Sequence, residues 1–299
     1  MPQFPFHILD VFTTTPLSGN PLTVVHNADS LETNEMQGIA REISTSETVF
    51  ILSPHNPVHS ARLRIFTPAS ELPFAGHPTI GAAVLLAERQ FGRKQKHEAI
   101  IVLEEHIGVI RCGVKIAPTE VTIAEFDTPK LAFETGQAPP REKLCQALGL
   151  VPSDIGLENY RPARFSSGVE YLCVPLRDRD ALHRVRPMQP LWADAVGMRV
   201  YLYTKMPSGH PQTFRARMFS PDGSLHEDPA TGSAAAAFAG VIAHYEGLSD
   251  GLHRLSIEQG IEMGRPSTIL MEIEITAGRL TGTRIGGQAV VVGEGILRL

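Results

Sequence analysis

Residues 227–245 read E-D-P-A-T-G-S-A-A-A-A-F-A-G-V-I-A-H-Y. Pro229 suits the first position of a helix, where its missing N–H would have no intrahelical partner anyway. The residues that follow predict a helix over 229–245 with almost no polar face before His244. A helix that is apolar all round is a buried helix. Its small side chains let strands approach closely, so the stretch predicts a sheet wrapped round one central helix.

The same text occurs earlier in the chain. Residues 64–83 read R-I-F-T-P-A-S-E-L-P-F-A-G-H-P-T-I-G-A-A, while residues 217–221 read R-M-F-S-P ahead of D-P-A-T-G-S-A. The repeat aligns Arg64 with Arg217, Pro68 with Pro221, Pro78 with Pro229 and Gly81 with Gly232, with two residues of length difference between the blocks. Text repeated about 150 residues apart argues for duplication and a pseudo-two-fold arrangement. The 299 residues also suit two domains of ~150 each. A break rich in Pro and Gly at 127–141 sets the halves at 1–128 and 129–299, and the last strand is one that can return to the first half.

Short β-like runs bounded by turn residues recur in both halves, from Phe6–Phe12 to Ala289–Val292. Helical patterns fall only at 31–43, 78–91, 141–149 and 229–245. Few strands are separated by helices of regular length, which argues against a doubly wound parallel sheet. The fold class is therefore α+β: two mixed, largely antiparallel sheets, each packed on helices.

Composition narrows the function. Net charge is −5, and the longest basic tract is Arg93-Lys94-Gln95-Lys96, too little for a nucleic-acid partner. No apolar run approaches the ~20 residues that span a bilayer, and the N-terminus lacks the pattern of a signal peptide. Cys112, Cys145 and Cys173 are scattered without CxxC spacing, which predicts free thiols and a cytoplasmic location. His55 and His59 stand four residues apart but in a Pro-flanked loop rather than on a helix, and no HExxH occurs, so no metal is expected. Gly286-Gly287 and Gly293-Glu294-Gly295 read as turns of a terminal hairpin, and Trp192 as a core or interface residue.

Each repeat enters its helix through a proline, which makes His77 and Asp228 the expected N-caps. Asp is a favoured cap and His is not, so His77 hints at another task. A buried helix that starts at a domain cleft presents unpaired N–H groups and about half a positive charge, an anion site without arginine. Glu47, in Ser44-Thr45-Ser46-Glu47-Thr48-Val49-Phe50, is a carboxylate at a strand start that can serve as acid or base.

The stretches D-V-F-T-T-T-P-L-S-G-N-P-L-T-V-V (10–25), S-E-T-V-F-I-L (46–52), F-A-G-H-P-T-I-G-A-A (74–83) and E-D-P-A-T-G-S-A (227–234) resemble the PhzF-like family. That family is named for the isomerase of phenazine biosynthesis and has the diaminopimelate-epimerase-like fold. The resemblance spans nearly the whole chain. It implies two domains, each a largely antiparallel sheet curled round a central helix, with the active site in the cleft between them, a homodimer and no cofactor. It also implies that Glu47 moves a proton between carbons of the substrate, beside His77 and Asp228. Gly232 and Ser233 would bind a substrate carboxylate through backbone N–H groups, and Asn20 and Gly76 would line the pocket. The epimerases of this fold use two cysteine thiols at the helix starts; this chain has Gly76-His77 and Gly232-Ser233 there. The expectation is a cofactor-independent isomerase of a small carboxylate. The alternatives are an epimerase or racemase without the two-thiol mechanism, and a non-catalytic metabolite-binding protein.

Overall fold

The computed structural model describes residues 1–210, 213–221 and 224–299. The chain forms two units, one of residues 1–127 with 286–299 and the other of residues 128–285. The second unit thus stops at Ile285, and the end of the last strand belongs to the first.

The first unit contains β1 (Gln3–Val11), β2 (Asn20–Val25), α1 (Thr33–Ile43), β3 (Glu47–Leu52), β4 (Ala61–Phe66), β5 (Glu71–Leu72), α2 (Gly76–Phe91), β6 (His97–Glu105), β7 (Gly108–Ile116) and β8 (Ile123–Asp127). Antiparallel ladders join β1 to β2, β3 to β4, β6 to β7 and β7 to β8, whereas β2/β3 and β4/β6 are parallel. In the second unit come β9 (Phe133–Gln137), α3 (Arg141–Leu148), β10 (Ala163–Ser166), β11 (Glu170–Pro175), α4 (Arg179–Arg184), α5 (Gln189–Ala195), β12 (Val200–Lys205), β13 (Phe214–Ser220), β14 (His226–Asp228), α6 (Gly232–Tyr245), β15 (Gly251–Gln259) and β16 (Ser267–Thr276). The chain ends in β17 (Arg279–Arg298), which pairs antiparallel with β1 and also with β8. The first sheet therefore closes on itself around α2. Its second-unit counterpart runs β9-β10-β11-β12-β13-β15-β16, with parallel pairs β11/β12 and β13/β15.

The two apolar helices are buried as their composition demands. Gly76 to Leu85 of α2 are all buried, and the helix packs on β1, β2, β3, β6, β7 and β8. On α6, Phe238 is fully buried among Tyr203 (4.4 Å between ring centroids), Phe214 (5.0 Å) and Tyr201 (5.5 Å). Truncating such a ring to alanine typically costs ~3–5 kcal/mol. The outer helix α1 buries only Met36, Ile39 and Ala40, one face at helical spacing, against Phe4, Val25, Phe50 and Phe66. In the second unit Trp192 belongs to a core with Leu144, Leu148, Leu172, Leu202 and Phe219.

The duplication is visible in the ladders, but in a different register from the sequence alignment. In β4/β5, Phe66 faces Glu71 and Ile65 faces Leu72; in β13/β14, Phe219 faces Glu227 and Met218 faces Asp228. Arg64 grips Glu71 through two contacts of 2.7 Å, and Arg217 grips Glu227 through two of 2.8 Å. Each helix starts five residues beyond that glutamate, at Gly76 and at Gly232. The equivalent blocks are therefore E-L-P-F-A-G-H (71–77) and E-D-P-A-T-G-S (227–233). Pro229 corresponds to Pro73 rather than Pro78, and Gly232 to Gly76 rather than Gly81. Pro78 draws a sequence alignment off register because Arg217 and Glu227 are farther apart in the chain than Arg64 and Glu71.

Two other expectations are corrected. The glycines at 286–287 and 293–295 lie inside β17, with Gly293 and Gly295 facing Ile8 and Phe6. They are there for space: a Cβ on Gly287 would stand 2.3 Å from Phe12 Cδ1, and one on Gly295 2.7 Å from Phe6 Cε1. Neither His77 nor Asp228 is an N-cap; the caps are Ala75 and Thr231, both in extended backbone. Pro78 sits third in α2, still among the positions whose N–H would be unpaired. Asp228 is held in β14 by its pairing with Met218, which delays the start of α6 to Gly232.

Candidate active site

In the first unit, Glu47 opens β3, where it stands beside Leu22 of β2. The Thr45 hydroxyl, 2.8 Å from the Glu47 carbonyl oxygen and 3.1 Å from Thr23 Oγ1, fixes this strand start. The Glu47 carboxylate then reaches His77, the second residue of α2, with Oε2 3.1 Å from Nε2. Both side chains are largely enclosed, at 16% and 5% exposure. Neither of these two atoms makes an aligned hydrogen bond, although both are buried. A short but unaligned contact between an acid and a base is what catalytic pairs show before substrate tightens them.

Asn20 orients the imidazole. It opens β2 opposite Val11 and is fully buried, and its Nδ2 donates to His77 Nδ1 over a long 3.4 Å. That donation assigns the remaining ring proton to Nε2, the nitrogen that faces Glu47. Gly19 makes the approach possible: its φ is +68°, and a Cβ there would lie 2.3 Å from the Val11 carbonyl oxygen.

In the second unit, Asp228 ends β14 and Gly232-Ser233 begin α6. The Thr231 hydroxyl donates a short hydrogen bond to Asp228 Oδ2. Gln259, fully buried at the end of β15, ties the loop together: Nε2 donates to the Asp228 carbonyl (2.8 Å) and Thr231 Oγ1 (3.1 Å), and Oε1 accepts from Thr231 N (3.3 Å). Ser233 Oγ is 2.7 Å from the Tyr171 hydroxyl. The first turn of α6 carries N–H groups at Gly232, Ser233 and Ala234, whereas Pro78 removes the third from α2. The α6 start is thus the fuller anion cradle.

The structure brings Asn20, Glu47, Gly76 and His77 together in the first unit, and Asp228, Gly232 and Ser233 in the second. Sequence reasoning missed Thr231, Gln259, Tyr171 and Thr79. Thr231 stands three residues after Asp228 in a Pro-led turn, a spacing that suggests side-chain contact; Gln259 and Tyr171 arrive from distant strands with no local signal. The three cysteines are free and buried on β7, α3 and β11, and none stands at the start of α2 or α6. Among the described residues no cluster of His, Cys, Asp and Glu is arranged to hold a metal. No described helix is long and apolar enough to cross a membrane.

Comparison with known proteins now decides the family. The model of the PhzC-PhzF family, described as phenazine biosynthesis-like protein, matches residues 9–295. The chain belongs to this family. An isomerase of undefined reaction from Mesorhizobium japonicum is 45% identical, with 97% of each chain covered. The trans-2,3-dihydro-3-hydroxyanthranilate isomerase of Pseudomonas chlororaphis is 35% identical over 98% of both chains. Among solved structures, a PhzF-family phenazine biosynthesis protein of Bacillus anthracis superposes with a TM-score of 0.89 at 25% identity, covering 100% of both. The fold extends to a hydroxyproline epimerase of Agrobacterium vitis, at a TM-score of 0.66, 13% identity and 99% and 91% coverage. The PhzC-PhzF chain described here is accordingly an isomerase, with an α+β fold of the epimerase type.

Proposed function

We propose that this isomerase moves a proton between carbons of a small carboxylate-bearing substrate without a cofactor. The observation that carries the reading is the Glu47–His77 pair: two buried titratable groups 3.1 Å apart, neither atom engaged in an aligned hydrogen bond. A purely structural ion pair buried to this degree would be expected to complete its hydrogen bonds. The two halves differ in what each offers. The first supplies an acid/base but a depleted helix start, and the second supplies a full set of helix N–H groups with Asp228 beside them.

In this scheme Glu47 takes a proton from one carbon as base and returns it to another as acid. His77, its Nε2 3.1 Å from Glu47 Oε2, steadies the carboxylate while it is charged and releases it as the proton arrives. At the start of α6 the backbone N–H groups of Gly232 and Ser233 hold a carboxylate, which the helix dipole stabilises. Asp228, held by the Thr231 hydroxyl, orients a polar group of the substrate. The cyclic hydroxy-amino carboxylate named for the Pseudomonas chlororaphis relative fits these requirements. The thiol-based epimerase route finds no support, since His77 and Ser233 occupy the helix starts and the cysteines are buried elsewhere.

The test is incubation with trans-2,3-dihydro-3-hydroxyanthranilate in D₂O, following C–H signals by NMR. Deuterium uptake should fall by ~10²–10⁴ in Glu47→Gln. Uptake unchanged in the variant removes Glu47 from the role; binding shifts without uptake in the natural protein indicate a metabolite-binding protein.

A further inference from the structure

Glu105, at the end of β6, has no part in the chemistry above, yet it touches the helix turn that carries His77. It is buried, with Oε1 2.7 Å from Thr79 Oγ1. The same hydroxyl is 2.8 Å from the carbonyl oxygen of Ala75, the cap residue of α2. A threonine hydroxyl has one proton to donate, and a carbonyl and a carboxylate can only accept. One proton cannot make both contacts full two-centre hydrogen bonds, and a protonated Glu105 supplies the second. The neutral carboxyl donates to Thr79 Oγ1, and Thr79 donates to Ala75. Glu105 Oε2 is buried with no hydrogen-bond partner, which a neutral acid tolerates far better than a carboxylate. Burial pushes this carboxyl up to about 8, in keeping with the proton count.

The surroundings do not reverse this. Cys112 faces Glu105 from β7 and is itself a buried thiol with its pKa pushed upward. A 170 Å³ cavity beside Glu105 is lined also by His55, Arg62, Arg64, Glu104 and His106. Two of these charges are already engaged: Arg64 by Glu71, and Glu104 by the His55 and Asn56 N–H groups and His59.

We propose that Glu105 is a positioning residue for His77, a neutral acid that holds the Ala75–Gly76–His77 turn through Thr79 and releases it on ionisation. When Glu105 loses its proton, the Thr79 hydroxyl turns to the carboxylate and Ala75 loses that donor. The turn that aims His77 at Glu47 then loosens, so activity declines on the alkaline side. The inference rests on the role given to His77 above, but its first test needs no substrate.

The experiment is a pH titration across about pH 6 to 10 of ¹⁵N-labelled protein, with the protonated-carboxyl C=O stretch followed in parallel by infrared spectroscopy. In the natural protein the Gly76 and His77 amides should shift with the same midpoint at which a buried C=O band disappears. Glu105→Gln, whose amide N–H can replace the carboxyl proton, should remove both the band and the coupled shifts. Thr79→Val should keep the band and abolish the shifts, and Thr79→Ser should restore them. If Glu105→Gln does not fold, the band in the natural protein and the Thr79 pair still decide. Absence of the band at about pH 6, or amide shifts that persist in Glu105→Gln or Thr79→Val, overturns the proposal. Once turnover is measured, kcat/KM should fall about tenfold per pH unit above the midpoint in the natural protein and remain level in Glu105→Gln.

Discussion

Glu105 and His26 pull the stability of the first unit in opposite directions with pH, and replacing one should expose the other. Burial raises Glu105 from 4.5 to about 8. Between those values the folded state holds a proton that the unfolded chain has lost, so stability falls as pH rises. The full contribution is present below ~4.5 and is lost by ~8. A shift of that size corresponds to ~5 kcal/mol at ~1.4 kcal/mol per unit, an upper figure because water and neighbours relax around an ionised group. His26 behaves the other way. Burial, then the Arg89 and His7 neighbours, lower it from 6.5 to about 4. Here the unfolded chain gains its proton first, so stability is lost as pH falls from ~6.5 through ~4. Across the overlap the two slopes oppose, and the natural protein should show a plateau from ~4.5 to ~6.5, then a decline toward ~8. Glu105→Gln removes the declining limb. Urea unfolding followed by circular dichroism at a series of pH values should show the variant gaining stability through the former plateau and holding it above. Parallel curves for variant and natural protein would mean that Glu105 is ionised at neutrality, and the proton count at Thr79 would be wrong.

Tyr171→Phe deletes the hydroxyl that holds Ser233, so KM for the carboxylate should rise by about two- to tenfold, the worth of one hydrogen bond, with kcat little changed. Steady-state kinetics separate the two parameters. Arg217→Met strands a half-buried Glu227 and also vacates the Leu182 and Val185 carbonyls, and should cost ~3 kcal/mol. Arg64→Met, at the more exposed of the two equivalent pairs, should cost less, and thermal unfolding of the two variants ranks them. Asn20→Ala frees the His77 ring and should lower kcat by about tenfold or more, as loss of an orienting neighbour does. The His77 ring nitrogens, observed by ¹⁵N NMR, should then report a mixture of tautomers; a single unchanged tautomer counts against the role of Asn20.

The fold was legible because its signal is local and strong. An unbroken apolar stretch from Ala234 to Ala243 has only one place in a domain of this size, inside a sheet. The short helices α4 and α5 went unread because each is under two turns and depends on tertiary packing, Asp178 capping Ala181 and Trp192 filling the core. Glu47 and His77 could be singled out as a pair only through family resemblance, since 30 residues and a strand crossing separate them. The repeat is legible in the sequence but its register is not, because the prolines vary in position and the constant feature, the Arg–Glu ion pair, forms only across paired strands. Gln259 and Tyr171 could not have been found: their value lies wholly in the strands that bring them to α6 and its loop.

The corrected register changes what the duplication means. The frame is repeated closely, with arginine on one strand, glutamate on the next, and a helix beginning five residues later. The side chains set on that frame are not repeated. Leu72 stands where the other half has Asp228, and His77 where it has Ser233. A symmetric racemase needs matched acids and bases on its two halves, because each face of the carbon must be served alike. Here one half keeps the titratable residue on the helix and an apolar one on the strand, and the other half reverses this. The duplicated frame has therefore kept its ion pair and helix start while its titratable side chain moved, to the helix in one unit and to the strand in the other.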